Sequence, residues 1–142
     1  MVTCVSILGS TGSIGRQSLD VISKLDGVQV AALTAGTSVE LMAQQCHAFH
    51  PRLAVMATEA AAKALRESIG DCATAVAWGE KGLIRAATLP EADCVITAVV
   101  GMVGLKPTLA AIRAKKRIGL ANKETLVCAG ELVMAEAEKY GA

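Results

Sequence analysis

The order of short β-branched segments and helical patterns constrains the fold of this chain more than any other feature. From residue 3 onward, segments rich in Val, Ile and Leu alternate strictly with segments that carry a helical period. Such alternation is typical of βαβ units, in which successive strands lie parallel and helices cover both faces of the sheet. The sequence therefore predicts an α/β fold, a doubly wound, Rossmann-like parallel sheet forming a single domain.

The patterns also give approximate bounds for each element. On the first helix Ile14, Val21, Ile22 and Leu25 form an apolar side, and Ser38 is placed to cap the second helix. Pro107 suits the first turn of the fifth helix. The predicted strands are 3–8, 28–33, 53–56, 75–78, 94–100 and 117–120, and the predicted helices are 14–25, 39–49, 59–69, 80–88, 107–115 and 123–140.

Composition narrows the classes of function. Hydrophobic residues make up 53% of the chain but aromatic residues only 2%, so the core is aliphatic, as in buried parallel sheets. A net charge of +1 without a long single-sign run argues against nucleic-acid binding. The apolar run 94–105 is too short to span a membrane, and no secretory signal precedes the first strand. Five scattered cysteines without CxxC spacing indicate free thiols, so we expect a soluble, cytoplasmic protein.

A glycine-rich loop joins the first strand to the first helix. Gly9, Gly12 and Gly15 follow the spacing GxxGxxG. In dinucleotide-binding folds the first such glycine permits a tight turn, the second lets the backbone approach a pyrophosphate, and the third lets the helix pack close to the sheet. The helix N-terminus adds free N–H donors and a partial positive charge. An ordinary strand–helix turn is the alternative, but the position at the first βα junction favours dinucleotide binding.

The end of the second strand favours NADP over NAD. NAD-binding domains carry an acidic residue about 20 residues after the loop, where it binds the ribose 2′-hydroxyl. Here Gly36, Thr37 and Ser38 occupy that turn, and the first acidic residue is Glu40. Small and hydroxyl-bearing residues suit a 2′-phosphate, although Ser38 could also serve only as a helix cap. No Arg or Lys lies in the turn, so the expected preference is modest.

A second candidate site follows the sixth strand. Asn122 and Glu124 suit a helix N-terminus, whereas the cation of Lys123 opposes the helix dipole there. A locally unfavourable residue at the carboxyl end of a parallel strand is a candidate ligand-binding residue. A solvated loop lysine is the alternative.

Together these segments resemble the N-terminal part of 1-deoxy-D-xylulose 5-phosphate reductoisomerases. The resemblance covers nearly the whole chain, and the combination of GSTGSIG with LANKE is specific. Semialdehyde dehydrogenases and other GxxGxxG reductases lack the second motif. The matching segments are 7–15 (ILGSTGSIG), 51–56 (PRLAVM), 99–108 (VVGMVGLKPT) and 110–127 (AAIRAKKRIGLANKETLV).

The resemblance implies roles for individual residues. The adenosine phosphate would lie beside Gly36, Thr37 and Ser38, and the loop 101–104 beside the nicotinamide ring. Lys123 would contact the substrate. The cofactor pyrophosphate would be held by Thr11, Gly12, Ser13 and Ile14, and the nicotinamide half of NADPH by Asn122 and Glu124.

The resemblance also implies a reaction. Family members rearrange 1-deoxy-D-xylulose 5-phosphate and reduce the resulting aldehyde with NADPH, giving 2-C-methyl-D-erythritol 4-phosphate for isoprenoid biosynthesis. They use Mg²⁺ or Mn²⁺, whose acidic ligands begin in the strand after the last residue of this chain. We therefore expect an NADPH-binding domain spanning 1–142, truncated before the catalytic domain, inactive alone and without catalytic or metal-binding residues. The full-length enzyme is expected to be a homodimer.

The sequence admits three other interpretations. Cys46 and His50 are four residues apart on one predicted helix and could begin a zinc site, but no second ligand pair exists, so packing is favoured. A free-standing nucleotide-sensing module is a different class of function. An NADP-binding domain of another reductase, such as a semialdehyde dehydrogenase, is the third possibility.

Overall fold

The computed structural model describes residues 3–99, 105–120, 134–135 and 137–141. Strands and helices alternate throughout the first 120 residues, as predicted. The strands are β1 (Thr3–Leu8), β2 (Val28–Thr34), β3 (Leu53–Met56), β4 (Ala75–Trp78), β5 (Cys94–Thr97) and β6 (Arg117–Leu120). The helices are α1 (Ser13–Ser23), α2 (Val39–Phe49), α3 (Glu59–Ile69), α4 (Gly79–Ala87) and α5 (Leu105–Arg113).

These strands form one parallel sheet in the order β4-β3-β2-β1-β5-β6. The chain moves outward from β1 to β4 and then returns across the sheet to place β5 on the other side of β1. Right-handed crossovers therefore put α1, α2 and α3 on one face and α4 and α5 on the other. The predicted α/β, Rossmann-like fold is confirmed.

Two aliphatic cores result, one on each face of the sheet. Leu19, Met42 and Leu65 from the first three helices pack on one face. On the other face, α4 and α5 contribute small residues such as Ala86 and Ala111, which let these helices approach the sheet closely. At the carboxyl ends of β1 and β5, helices leave toward opposite faces. That reversal point is where open α/β sheets bind ligands.

The orientation of α1 differs from the apolar side predicted for it. The helix packs on the sheet through Gly15, Leu19 and Ile22. Of the predicted apolar side only Ile22 is buried, whereas Ile14, Val21 and Leu25 are 45–56% exposed. The reason is Gly15, which must face the glycine loop and thereby fixes the rotation of the helix.

The remaining element predictions hold with small shifts. Strand β5 ends at Thr97 rather than residue 100, because Ala98 and Val99 cross over Gly9. Pro107 lies in the first turn of α5, as predicted. Of the predicted last helix, residues 134–135 and 137–140 are helical, and the others lie outside the described residues. Within the described ranges, no helix has the length and apolar character that crossing a membrane requires.

Candidate cofactor site

Gly9 makes the turn that leads out of β1. Its φ of +89° lies in the region that side chains rarely adopt. A Cβ at this position would also lie 2.9 Å from the carbonyl carbon and oxygen of Ala98 and from the amide nitrogen of Val99. Both the backbone conformation and the close approach of the chain after β5 therefore require glycine here.

Gly15 lies in the first turn of α1, where the helix meets the glycine loop. A Cβ on Gly15 would collide with the carbonyl oxygen of Gly9 and would lie 2.6 Å from the Cα of Ser10. The sequence predicted a close contact between helix and sheet. The structure adds a contact that the sequence did not predict, because Gly15 also lets the helix pack against the backbone of the loop itself.

Gly12 is different, because the protein leaves room for a side chain there. Among the described residues, a Cβ would meet only the carbonyl oxygen of Gly9, at an ordinary 3.7 Å. Gly12 is the N-cap of α1, has an extended backbone and carries no side chain that could cap the helix amides. Ser13 and Ile14 are exposed and Thr11 is half-buried around it. The first N–H groups of α1 are thus available to an anion, and the space beside Gly12 faces solvent.

Thr34, at the end of β2, fixes the start of the loop. The Gly9 N–H donates to the Thr34 carbonyl oxygen at 3.1 Å and to its Oγ1 at 2.9 Å, and the Ser10 N–H donates to the same carbonyl at 2.7 Å. Thr34 is buried, so these bonds are shielded from water. Thr34 could not be identified from the sequence, since a threonine at a strand end carries no distinctive signal.

Gln45, on α2, is a second supporting residue that was not predicted from the sequence. It is buried and exchanges two hydrogen bonds with Ser10 of the loop. A signal did exist, because Gln45 lies between Met42 and Phe49 on the apolar side of α2, where a polar residue needs a partner.

The turn from Gly36 to Ser38 links β2 to α2 at the same edge of the sheet. The Ala57 N–H donates to the Gly36 carbonyl at 3.0 Å, and the Val39 N–H donates to that of Thr37 at 2.8 Å. Among the described residues, nothing lies within 4 Å of a Cβ built on Gly36. Ser38 occupies the N-cap position, as predicted, but its hydroxyl makes no capping bond within the described chain.

A shallow depression of about 500 Å³ adjoins this turn. Its lining includes the Glu40 carboxylate and contains no basic residue among those described: Thr37, Ser38, Val39, Glu40, Leu41 and Gln44. Hydroxyl groups and the uncapped amides of α2 are therefore the donors that it offers.

Several predicted site residues lie outside the described part of the chain. They are Asn122, Lys123, Glu124 and the loop 101–104. The described residues contain no group of three or more His, Cys, Asp or Glu side chains arranged to hold a metal ion.

The described thiols are all free. The Sγ of Cys72 lies 3.2 Å from Nδ1 of His47. Burial raises the pKa of the Cys46 thiol to about 11, and the nearby Cys72 adds to the rise. Burial likewise raises the pKa of Cys94, partly offset by Arg117. Cys46 and Cys94 are therefore neutral packing residues near pH 7.

Comparison with known proteins gives a consistent result. The family model for 1-deoxy-D-xylulose 5-phosphate reductoisomerase matches residues 5–130. The reductoisomerase of Symbiobacterium thermophilum is 55% identical over 142 aligned positions, covering 96% of this chain and 37% of that protein. That of Agathobacter rectalis is 50% identical, covering 96% of this chain and 36% of the relative. The chain thus spans little more than a third of the length of these relatives.

Solved structures agree. The Zymomonas mobilis reductoisomerase in complex with NADPH superposes with a TM-score of 0.94 at 39% identity, covering 99% of this chain and 37% of that one. A reductoisomerase complex with NADPH, fosmidomycin and magnesium gives a TM-score of 0.94 at 38% identity, covering 99% and 35%.

Proposed function

The chain belongs to the 1-deoxy-D-xylulose 5-phosphate reductoisomerase family, and on that premise we propose that it is the NADPH-binding domain of such an enzyme. The observation that carries the proposal is the contrast between the loop glycines. Gly9 and Gly15 are required by the protein's own packing, whereas Gly12 has room for a side chain. A glycine that the fold does not need, beside uncapped helix amides, fits a position where a pyrophosphate approaches the backbone.

Each described site residue then has a physical role. The amides following Gly12 at the start of α1 donate to the pyrophosphate, assisted by the hydroxyls of Thr11 and Ser13, and Ile14 packs beside them. Gly36 leaves space for the adenosine phosphate. Thr37 and Ser38 donate to its oxygens, and the N-terminus of α2 adds a favourable dipole. The bound cofactor supplies the hydride for reduction of the substrate-derived aldehyde.

The remaining roles belong to residues outside the described part of the chain. We propose that Asn122 and Glu124 contact the nicotinamide half of NADPH and that Lys123 contacts the sugar phosphate. The support is the motif LANKE within the segment that the family model matches. An ammonium group is a suitable partner for a phosphate dianion.

We further propose that the complete enzyme is a longer, cytoplasmic homodimer. It converts 1-deoxy-D-xylulose 5-phosphate to 2-C-methyl-D-erythritol 4-phosphate in isoprenoid biosynthesis. Its catalytic domain supplies the ligands for Mg²⁺ or Mn²⁺. The greater length of the relatives supports a longer enzyme, and the magnesium in a related complex supports the divalent metal. Family membership does not favour the alternatives of a semialdehyde dehydrogenase or a free-standing nucleotide sensor.

Calorimetric titration of the purified chain with NADPH tests the proposed function. We expect saturable binding with one NADPH per chain. Absence of binding at millimolar NADPH, in a chain shown to be folded by circular dichroism, would overturn the proposal.

A further inference from the structure

We infer that Gln45 is a positioning residue for the cofactor, because its amide joins the glycine loop to the helix that follows the 2′-phosphate turn. The inference rests on the proposed function and deepens it. It concerns how the two parts of the candidate site, the loop from Gly9 to Gly15 and the turn from Gly36 to Ser38, are held at a fixed separation.

The contact between Gln45 and Ser10 is reciprocal. The Ser10 hydroxyl donates to Oε1 of Gln45 at 2.7 Å, and Nε2 of Gln45 donates to the Ser10 carbonyl at 2.9 Å. The orientation of the amide is set by chemistry, because the carbonyl can only accept and must therefore face the NH₂ group. Ser10 is fully buried and Gln45 is 6% exposed, so water cannot replace either bond.

Ser10 is held on its other side as well. Its N–H donates to the Thr34 carbonyl at 2.7 Å, so its N–H, hydroxyl and carbonyl all have protein partners. Ser10 consequently points into the protein while its neighbours Gly12 and Ser13 are exposed. The loop is thus fixed at its first two residues, and its outward part is left available for a ligand.

Gln45 lies on the helix that starts immediately after Ser38. It is seven residues from Ser38, about two helical turns along α2. A rigid helix therefore connects the turn that we assign to the 2′-phosphate with the amide that holds the pyrophosphate loop. NADPH must occupy both parts of the site at once. NADH lacks the 2′-phosphate and therefore has no group for the turn from Gly36 to Ser38 to bind. Displacing the loop relative to α2 should therefore weaken NADPH more than NADH.

That difference separates a positioning role from a purely structural one. A variant that only destabilised the fold would reduce binding of both cofactors in the same proportion. A variant that uncouples the two parts of the site lowers the ratio of NADPH to NADH affinity. The ratio, measured on folded protein, is therefore the decisive quantity.

The test uses Gln45→Met, which retains the length of the side chain but removes both hydrogen bonds. Gln29→Met is the matched control, because Gln29 is an exposed glutamine near the amino end of β2. Calorimetric titrations with NADPH and NADH are run on both variants and on the unchanged chain. We expect Gln45→Met to bind NADPH at least tenfold more weakly and to show a reduced NADPH-to-NADH ratio, and Gln29→Met to match the unchanged chain.

Ser10→Ala provides a second, milder variant that removes only the hydroxyl donor. If Gln45→Met does not fold, the same titrations are made with Ser10→Ala. We expect it to lower the NADPH-to-NADH ratio too, and the double variant to add less than the sum of the single effects. An unaltered ratio in the folded variants, while the unchanged chain binds NADPH, would overturn this inference alone. Failure of the unchanged chain to bind NADPH would overturn the proposed function and this inference with it.

Discussion

The first turn of α1 packs directly on the glycine loop, since a Cβ on Gly15 would lie 2.6 Å from the Cα of Ser10. This backbone cannot yield as a flexible side chain would. We therefore expect Gly15→Ala to lower the free energy of unfolding by about 2–4 kcal/mol. Urea denaturation followed by circular dichroism measures the effect. Gly36→Ala is the control, because no described atom lies within 4 Å of its Cβ position, and it should change stability by less than about 0.5 kcal/mol. Equal stabilities for the two variants would contradict the packing described for Gly15.

Gly12→Val, unlike Gly15→Ala, should leave the protein folded. The variant should no longer bind NADPH. The extended backbone at Gly12 accepts a β-branched residue, and the one described atom within 4 Å of its Cβ would be the Gly9 carbonyl oxygen, at 3.7 Å. Replacing glycine at this N-cap position lowers the free energy of unfolding by about 1 kcal/mol or less, so the variant should remain folded. The new side chain occupies the space that the pyrophosphate needs. Calorimetry measures binding, and Ala73→Val, on an exposed loop before β4, serves as the control. Binding of NADPH by Gly12→Val as tight as by the parent would refute this assignment.

The turn from Gly36 to Ser38 should favour NADPH over NADH. The two cofactors differ only by the 2′-phosphate, and one charge-assisted hydrogen bond contributes about 1.5–3 kcal/mol. Since about 1.4 kcal/mol corresponds to a tenfold change in affinity, we expect at least a tenfold preference and not much more. Ser38→Ala should reduce it, and added salt should weaken it, because the turn is exposed. Equal affinities for the two cofactors would mean that the turn does not recognise the phosphate.

Burial of Cys46 predicts a specific loss of stability at alkaline pH. The folded pKa is about 11, against an ordinary value of 9.0. Below pH 9 both states hold the proton and this thiol adds no pH dependence. Between pH 9 and pH 11 the unfolded chain loses the proton first, so the free energy of unfolding falls, by about 2–3 kcal/mol in total. Urea denaturation across this range should show a shallower decline for Cys46→Ala than for the parent. Parallel declines would show that the thiol ionises equally in both states.

The isolated chain should have no reductoisomerase activity, although we expect it to bind cofactor. The chain spans little more than a third of the length of the reductoisomerases that it matches. We expect no oxidation of NADPH when 1-deoxy-D-xylulose 5-phosphate and Mn²⁺ are added, measured as absorbance against a control without substrate. Substrate-dependent NADPH consumption would show that catalysis does not require the additional length of the relatives.

The order of strands and helices was predictable because each helix shows its own hydrophobic periodicity and turn-forming residues separate it from the neighbouring strands. β1, β3, β4 and β6 have the predicted bounds, since each is a short β-branched or apolar segment between clear breaks. The apolar side of α1 was not predictable from periodicity. Leu19 and Ile22 face the sheet while Val21 and Leu25 do not, because contact between Gly15 and the loop sets the rotation of the helix.

The loop and the turn of the candidate site could be located from the sequence, whereas the buried residues that support them could not. Gly12 and Ser38 could be identified because motif spacing is local in sequence. Thr34 and Gln45 act across separations of 25 and 35 residues, which only the folded sheet brings together. The burial of Ser10, between the half-buried Gly9 and Thr11, likewise depends on these distant partners.

The central claim is that the carboxyl edge of the sheet, at Gly12 and the Gly36–Ser38 turn, binds NADPH. The most direct measurement is a ¹⁵N–¹H NMR titration of the chain with NADPH. We expect the largest amide shift changes to fall on residues 11–15 and 36–38, while Arg52 and Leu53, at the amino end of β3, remain unchanged. Changes confined to the amino ends of the strands, or no changes at saturating NADPH, would contradict it.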